Sequence, residues 1–218
     1  MSVVTEPLAP VEAPRDCPLC PRLVAYRMEN RAKNPDWWNG AVPSFGDPTC
    51  RLVVVGLAPG RTGANRTSRP FTGDHAGILL YETLLKTGFA RGRYEARPDD
   101  TLELVDCMIT NAVRCAPPGN RPETSEENTC RRYLAARLDA LPNLRVIVTL
   151  GDVARRNVLK ALGMRAAQGA AGHGAETDCG RYALINSYHC SRLNTNTGRL
   201  TPEMFEAVFL RARALLDG

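Results

Sequence analysis

The chain has 218 residues, 44% of them apolar, and a formal net charge of +5. This length and composition predict one domain, spanning 1–218, with a single sizeable core, and no run of about 18 apolar residues could cross a membrane. The first 14 residues lack the basic and apolar segments of a secretory signal, which favours a reduced, cytoplasmic protein over a disulfide-stapled one.

The basic residues are dominated by arginine, with 25 arginines and only 3 lysines. A planar guanidinium binds phosphate in a bidentate manner, which suits a nucleic-acid partner. A GC-rich coding sequence would produce the same bias. The charge therefore permits a nucleic-acid partner without establishing one.

In chain order, the apolar pattern alternates between buried strands and amphipathic helices. Strands are predicted at 51–56, 104–112, 145–150 and 182–186, and helices at 75–86, 123–141, 152–162 and 202–216. Asp74 stands where the helix 75–86 needs an N-cap, and the Gly-rich stretch 163–180 is predicted to be a loop. Such alternation predicts an α/β fold with a mostly parallel sheet and helices on both faces.

Four cysteines have a spacing that suits a metal centre: Cys17, Cys20, Cys115 and Cys130. The first two can reach one centre from a single turn of chain, and a helix must bring Cys130 back toward Cys115. The set predicts a zinc or iron–sulfur centre that ties an N-terminal arm, residues 1–50, to the main domain. The alternative is that Cys115 and Cys130 are isolated buried thiols and that only the CPLC pair is redox-active.

Polar loops rich in Gly and Pro follow three of the predicted strands. Their sequences are GLAPG and RPFTGD after the first strand, TNAVRCAPPGNRP at the end of the second, and SYHCSRLNTNTG after the fourth. Ligands of parallel sheets bind at the carboxyl ends of the strands. The three loops are therefore expected to converge on one site.

These motifs, in this order and with this cysteine set, resemble the uracil-DNA glycosylase superfamily, and most closely its iron–sulfur members of family 5 (type b). The resemblance runs from Cys17 to about Thr201. It implies an α/β/α sandwich around a four-stranded parallel sheet and a [4Fe–4S] cluster on the four cysteines. It also implies a monomeric, monofunctional glycosylase that excises uracil from double-stranded DNA, with single-stranded DNA as a second candidate, in base excision repair.

A glycosylase must flip a base out of the stack and let it leave as an anion. Phe71 offers a flat face for a pyrimidine, unless it is a core residue, and Asn111 can both donate and accept at the uracil edge, unless it is a strand-end turn residue. His189 matches the superfamily histidine near the base O2, where a neutral donor stabilises the leaving charge; the alternative is a surface histidine. Ala58 and Gly60 are expected to line the same pocket.

The first loop departs from the family pattern. Other members carry a polar or acidic residue there that orients the attacking water, whereas Gly56–Gly60 holds neither a carboxylate nor an amide. Asp74 is the predicted replacement, either positioning water or stabilising a cationic sugar; the alternative is that it serves as the helix N-cap alone. Without a gatekeeper, the pocket is expected to accept hypoxanthine, xanthine and ethenocytosine beside uracil, which disfavours a strict family-4-like enzyme.

Side chains at the loop tips are expected to contact DNA. Leu193 is a candidate wedge for the space that the flipped nucleotide leaves. The phosphate and other DNA contacts are predicted to come from Arg61, Arg66, Arg69, Arg114, Asn120, Arg121, Arg192 and Asn194.

Two functions from other classes compete with this interpretation. An iron–sulfur electron carrier would have no need of Phe71, Asn111 or His189. A zinc-stabilised nucleic-acid binding module without catalysis would be colourless and would bind DNA independently of Asp74.

Overall fold

A computed structural model of the protein describes residues 10–218, so residues 1–9 of the predicted arm lie outside the described residues. The described chain alternates between strands and helices along most of its length. The helices are α1 Pro21–Lys33, α2 Ala64–Thr67, α3 His75–Lys86, α4 Thr124–Asp139, α5 Asp152–Ala161, α6 Arg192–Asn196 and α7 Pro202–Asp217. The strands are β1 Phe45–Gly46, β2 Leu52–Gly56, β3 Ala90–Arg91, β4 Glu103–Leu104, β5 Cys107–Asn111, β6 Val146–Leu150, β7 Glu176–Asp178 and β8 Ala183–Ser187.

The main sheet has six strands in the order β1-β5-β2-β6-β8-β7. Its four central strands, β5, β2, β6 and β8, run parallel, and the short edge strands β1 and β7 are antiparallel to their neighbours. The prediction of four parallel strands is therefore correct for the centre of the sheet. It is wrong for the complete sheet, which has two additional antiparallel edge strands. Both edge strands have only two or three residues, too few to show any periodicity.

Each face of this sheet is covered by helices, as predicted. Val54 and Val148 point toward a core shared with α3 and α7, whereas Val53 and Ile147 point toward a second core shared with α4 and α5. Alternate residues of a strand face opposite sides, so strands buried on both faces read as continuous apolar runs. The α/β/α sandwich is confirmed.

The predicted elements agree with the structure to within a few residues, with two exceptions. The stretch 163–180, predicted to be a loop, contains the short edge strand β7 at Glu176–Asp178, which pairs with β8. The apolar stretch 104–112 is two strands, β4 and β5, separated by Asp106 in the left-handed conformation (φ 52°). The carboxylate of Asp106 accepts hydrogen bonds from the backbone and the guanidinium of Arg51, which fixes that break. Within residues 10–218, no helix is long and apolar enough to cross a membrane.

Candidate active site

A cavity of about 320 Å³ opens where the loops after β2, β5 and β8 meet. All three loops contribute residues to its lining. This agrees with the prediction, which rested on the position of the three loops directly after the strands. Among the residues predicted for the site, those that line it are Ala58, Gly60, Phe71, Asp74, Asn111, Asn120, His189 and Arg192. Leu57, Pro59, His75, Ala76 and Ser191 complete the lining, and the sequence motifs did not single them out.

Asn111 is the last residue of β5, and its side chain lies at the bottom of this cavity. It is 2% exposed, and its Oδ1 has no hydrogen-bond partner. A buried amide oxygen without a partner costs free energy, about 1–3 kcal/mol in general, so folding alone does not explain it. The oxygen is free to accept a hydrogen bond from a ligand in the cavity.

Gly56 at the end of β2 makes room for both Asn111 and Phe71. A Cβ atom at this position would lie 2.5 Å from Asn111 Oδ1 and 2.7 Å from Phe71 Cζ. Both distances are shorter than any normal van der Waals contact. The only sequence signal for this role is a glycine at the end of a strand that otherwise consists of one leucine and three valines.

We expect Gly56→Ala to lower kcat/KM for base excision by about tenfold, because the added methyl group must displace the amide, the ring or both. The backbone conformation of Gly56 suits any residue, so the unfolding midpoint should change by only a few degrees. Steady-state kinetics beside thermal unfolding will check this. Unchanged kinetics in a folded variant would show that the two side chains tolerate displacement.

The ring of Phe71 forms one wall of the cavity and faces His189. The two ring centroids are 6.2 Å apart, with an angle of 33° between the planes. Phe71 is 7% exposed and also packs against the core shared with α3 and α7, so the two interpretations of this residue are compatible. Burial lowers the pKa of His189, which keeps its imidazole neutral at pH 7.

Asp74 is the only carboxylate among the described residues that line the cavity. It is the N-cap of α3, as predicted, and its Oδ1 accepts a hydrogen bond from Gly77 N at 3.1 Å. Its Oδ2 faces the first loop, where a Cβ atom would lie 3.2 Å away at Gly60 and 2.5 Å away at Gly63. Burial raises the pKa of Asp74, although hydrogen bonds from the helix backbone oppose the shift.

The loop that carries His189 is held by contacts that its own sequence does not reveal. Asn194 Nδ2 donates to the backbone oxygen of His189 at 2.8 Å. His173, from the stretch predicted to be a loop, accepts at Nδ1 from Tyr188 N at 3.2 Å, and its Nε2 lies 3.1 Å from Met204 O. His173 lies 16 residues before His189 in the chain, so no local pattern indicates the contact.

The loops around the cavity carry exposed basic and apolar side chains, of which Arg192 lines the cavity itself. Arg61, Arg66 and Arg192 are exposed, and the Arg61 guanidinium lies 5.6 Å from the ring centre of Trp37. Leu193 on α6 is 72% exposed, the most exposed large apolar side chain in the described part of the chain. Asn120 is exposed as well and adopts a left-handed conformation (φ 56°).

Two arginines predicted to contact phosphate lie elsewhere. Arg69 is 5% exposed and forms a bidentate ion pair with Asp100, so its guanidinium is not available to DNA. Arg114 is 1% exposed and pairs with Glu12 at 3.1 Å. The phosphate-contact predictions for Arg69 and Arg114 are wrong, because each guanidinium has a carboxylate partner distant in sequence.

The four cysteines with metal-site spacing come together around one small cavity next to the first. Cys17, Cys20, Cys115 and Cys130 all line it, and none forms a disulfide. Within residues 10–218, no three His, Cys, Asp or Glu side chains are already arranged around a single ion.

Two nitrogen donors lie near the sulfur atoms of this cluster. Arg114 N donates to Cys130 Sγ at 3.2 Å, and Arg27 Nη1 lies 4.0 Å from Cys115 Sγ. The Nε of Arg27 is buried without a hydrogen bond, although the Asp16 carboxylate lies 3.8 Å from it. Burial raises the pKa of Cys115 to about 12 and that of Cys130 to about 11, so the free thiols are protonated at pH 7.

The two cavities share a wall. Ala58 lines the first cavity and packs against the cysteine cluster. Asn111 lines the first cavity and Cys115 lines the second, only four residues further along the chain. Any group held by the cysteines therefore supports the loops that shape the first cavity.

Comparison with known proteins agrees with this geometry. Residues 43–213 match the family model of the uracil DNA glycosylase superfamily. A type-5 uracil-DNA glycosylase of Thermus thermophilus is 46% identical over 206 residues, which cover 91% of this chain and 93% of the relative. Another from Pyrobaculum aerophilum is 42% identical over 203 residues, covering 91% of this chain and 88% of the relative.

A type-4 uracil-DNA glycosylase of Pyrobaculum aerophilum is less similar. It is 35% identical over 153 residues, which cover 70% of this chain and 64% of the relative. Both the identity and the coverage are lower than for the type-5 relatives. The chain belongs to the uracil-DNA glycosylase superfamily and, within it, to the type-5 enzymes.

Proposed function

We propose that the protein is a monofunctional glycosylase that hydrolyses the bond between uracil and deoxyribose in DNA and leaves an abasic site. The observation that carries the proposal is the unpartnered Oδ1 of Asn111, buried in a cavity beside the Phe71 ring. The N3–H of uracil is a donor for that oxygen, and the flat pyrimidine stacks on the phenyl ring.

Departure of the base requires stabilisation of its negative charge. In the proposed mechanism, the neutral His189 imidazole donates a hydrogen bond to O2 of the base as the bond from N1 to C1′ breaks. The Asn111 amide holds the opposite edge. Because burial favours the neutral imidazole, the donor needs no change of protonation before the reaction.

Asp74 is the proposed group on the sugar side. Its Oδ2 faces the open space beside Gly60, where it can hold the attacking water or balance the positive charge that develops on the deoxyribose. The water adds to C1′, and its proton passes to the carboxylate. The same residue caps α3 through Oδ1, so both predicted roles are compatible in one side chain.

The first loop sets the breadth of the pocket. Leu57, Ala58, Pro59 and Gly60 present no side-chain amide or carboxylate to reject a differently substituted base. Hypoxanthine is therefore a further proposed substrate, followed by xanthine and ethenocytosine. Thymine opposite guanine is expected to react more slowly, because its methyl group must also be accommodated.

Cleavage of duplexes that contain one uracil, one hypoxanthine or one thymine, each opposite guanine, tests the proposal. Alkali-labile breaks at uracil, and none without alkali, are expected from a monofunctional glycosylase. No break at uracil would refute the proposed reaction and would favour a binding or electron-transfer protein.

The cysteine cavity is proposed to hold a [4Fe–4S] cluster on Cys17, Cys20, Cys115 and Cys130. Four cysteines are the ligand set of a [4Fe–4S] cluster, and the resemblance of the chain to the iron–sulfur members of the superfamily favours the cluster over zinc. The cluster supplies a rigid link between the arm and the loop after β5. It takes no part in the hydrolysis.

We expect Cys130→Ser to abolish the brown colour and the bound iron, and to lower the unfolding midpoint by about 10 °C, or about 3 kcal/mol for a chain of this size. Cys179→Ser is the matched control, because Cys179 lies outside the cysteine cavity. Iron content, the absorption spectrum and thermal unfolding are the measurements. Full iron in Cys130→Ser would exclude Cys130 as a ligand.

Double-stranded DNA is the proposed partner, contacted by the exposed side chains of Arg61, Arg66 and Arg192, with Leu193 as the wedge. Single-stranded DNA remains a second candidate. We further propose a monomer in which residues 1–218 act as one domain, located in the cytoplasm with the DNA.

A further inference from the structure

Phe71, the proposed stacking platform, has an unusual backbone. Its φ is 54°, in the left-handed region that favours glycine and that residues with bulky side chains rarely adopt. Such a conformation persists only where the surroundings enforce it. The segment Pro70–Thr72 must therefore be held in place by its neighbours.

Three side-chain hydroxyls hold this segment, one for each of its consecutive carbonyl groups. All three donors come from outside the segment, and each bonds a backbone oxygen. The bonds run from Tyr81 to Pro70 (2.6 Å), from Tyr94 to Phe71 (3.1 Å) and from Thr67 to Thr72 (3.1 Å).

An ion pair lies under the tyrosines. Arg69 Nη1 and Nη2 bind the two carboxylate oxygens of Asp100 at 2.7 and 2.8 Å, and Arg69 Nε donates to Thr72 Oγ1 at 2.7 Å. The guanidinium carbon lies 5.5 Å from the ring centre of Tyr81 and 5.8 Å from that of Tyr94. The pair therefore fixes the rings whose hydroxyls bond the segment.

Asp100 connects this support to the two-stranded sheet of β3 and β4. It accepts hydrogen bonds from Glu95 N at 2.9 Å and Leu102 N at 3.1 Å, which close the connection between the two strands. That connection also carries Tyr94. The small sheet is not hydrogen-bonded to the main sheet, but Leu104 of β4 packs against the core that the main sheet shares with α3 and α7.

Helix α3 also lies close to the carbonyl group of Phe71. A Cβ atom at Gly77 would lie 1.7 Å from Phe71 O and 2.7 Å from the Tyr94 hydroxyl. Only glycine permits this approach. The carbonyl of Phe71 is thus confined between a helix and a hydroxyl group.

We infer that Tyr94 is a positioning residue for base excision, which holds Phe71 in its left-handed conformation so that the ring is ready to stack on the flipped base. Tyr94 does not line the cavity and acts only through Phe71. The Arg69–Asp100 pair holds Tyr94 in turn. This inference rests on the proposed function.

The test is Tyr94→Phe, which removes one hydroxyl and keeps the ring. We expect kcat/KM for a uracil-guanine duplex to fall about tenfold, the factor that corresponds to about 1.4 kcal/mol and to the loss of one hydrogen bond. Tyr182→Phe is the matched control: its buried hydroxyl also bonds a backbone oxygen, that of Leu138 at 3.4 Å, away from the cavity. The control should retain wild-type kinetics.

A double-mutant cycle separates positioning from general stability. In a Phe71→Ala background, Tyr94→Phe should cost less than about twofold, because there is no ring left to position. An equal loss in both backgrounds, or no loss in the wild-type background, would overturn the inference.

Hydrogen exchange of the backbone amides of Arg69 and of residues 71–74 gives a readout that needs no catalysis. In the absence of DNA, these amides should exchange faster in Tyr94→Phe than in the wild type, and amides elsewhere in the chain should exchange at the same rate in both. If the wild type failed to cleave uracil, the proposed function would fail while this exchange result still tested the support of Phe71. Unchanged exchange would refute the structural part of the inference.

Discussion

Asn111→Ala is expected to lose activity without losing stability. Its buried Oδ1 has no partner in the folded chain, so its removal ends a desolvation cost and leaves the free energy of unfolding unchanged or up to about 1 kcal/mol higher. The lost contacts to uracil should lower kcat/KM by about 10²- to 10³-fold, equivalent to about 3–4 kcal/mol. Thermal unfolding and single-turnover cleavage measure the two effects.

The same substitution at Asn157 should give the opposite result. Asn157 is 2% exposed on α5, and its amide bonds Glu127 Oε2 at 2.8 Å, Val153 O at 3.0 Å and Arg131 Nη2 at 3.1 Å. Asn157→Ala should destabilise the fold by about 1–3 kcal/mol and leave kcat/KM unchanged. If Asn111→Ala were the destabilised and active variant, Asn111 would be a structural residue.

Asp74→Asn is expected to lower kcat by about 10²-fold or more while the fold remains intact, because asparagine can still accept the hydrogen bond from Gly77 N. Asp74→Ala should lose the same activity and, in addition, about 1 kcal/mol of stability with the N-cap. If activity fell only as far as stability fell, in Asp74→Asn and in Asp74→Ala alike, the role of Asp74 would be limited to capping the helix.

The pH dependence of stability gives a second test of Asp74. Burial raises its pKa above the ordinary value of 3.8, so the folded chain binds this proton more tightly than the unfolded chain. The contribution of Asp74 to stability therefore falls as the pH rises from about 3.8 through the raised pKa. In Asp74→Asn, stability should not fall in this way as the pH rises, and the variant should be at least as stable as the wild type at pH 7.

Activity should depend on the same titration in the opposite direction. Only the ionised carboxylate can take a proton from water, so cleavage by the wild type should rise with pH through the raised pKa of Asp74. The residual activity of Asp74→Asn should not rise with pH over this range. If the activity of the variant still rose with pH over this range, the rise would be due to the ionisation of another group.

The sequence predicted those parts of the fold that depend on local patterns. The helix 75–86 was predicted with its observed bounds, because an N-cap and a 3.6-residue period both mark it. Helices α1, α2 and α6 were missed. The last two have four and five residues, too few for a period to appear.

The candidate site was predictable where its residues follow strands. Asn111 and the loop Gly56–Gly60 end parallel strands, so topology alone brings them to one edge of the sheet. The residues that support the site were not predictable in this way. Asp100 neutralises Arg69 from 31 residues away, and His173 binds a loop 15 residues further along the chain, so only the folded structure reveals these pairs.

A crystal structure of the protein with a duplex that carries 2′-fluoro-deoxyuridine opposite guanine tests the central claim most directly. The fluorine destabilises a cationic sugar, so the base stays attached while it binds. The uracil ring should lie in the 320 Å³ cavity, stacked on Phe71, with N3 within hydrogen-bonding distance of Asn111 Oδ1. A uracil that stays stacked in the duplex, or binds away from this cavity, would contradict the proposed site.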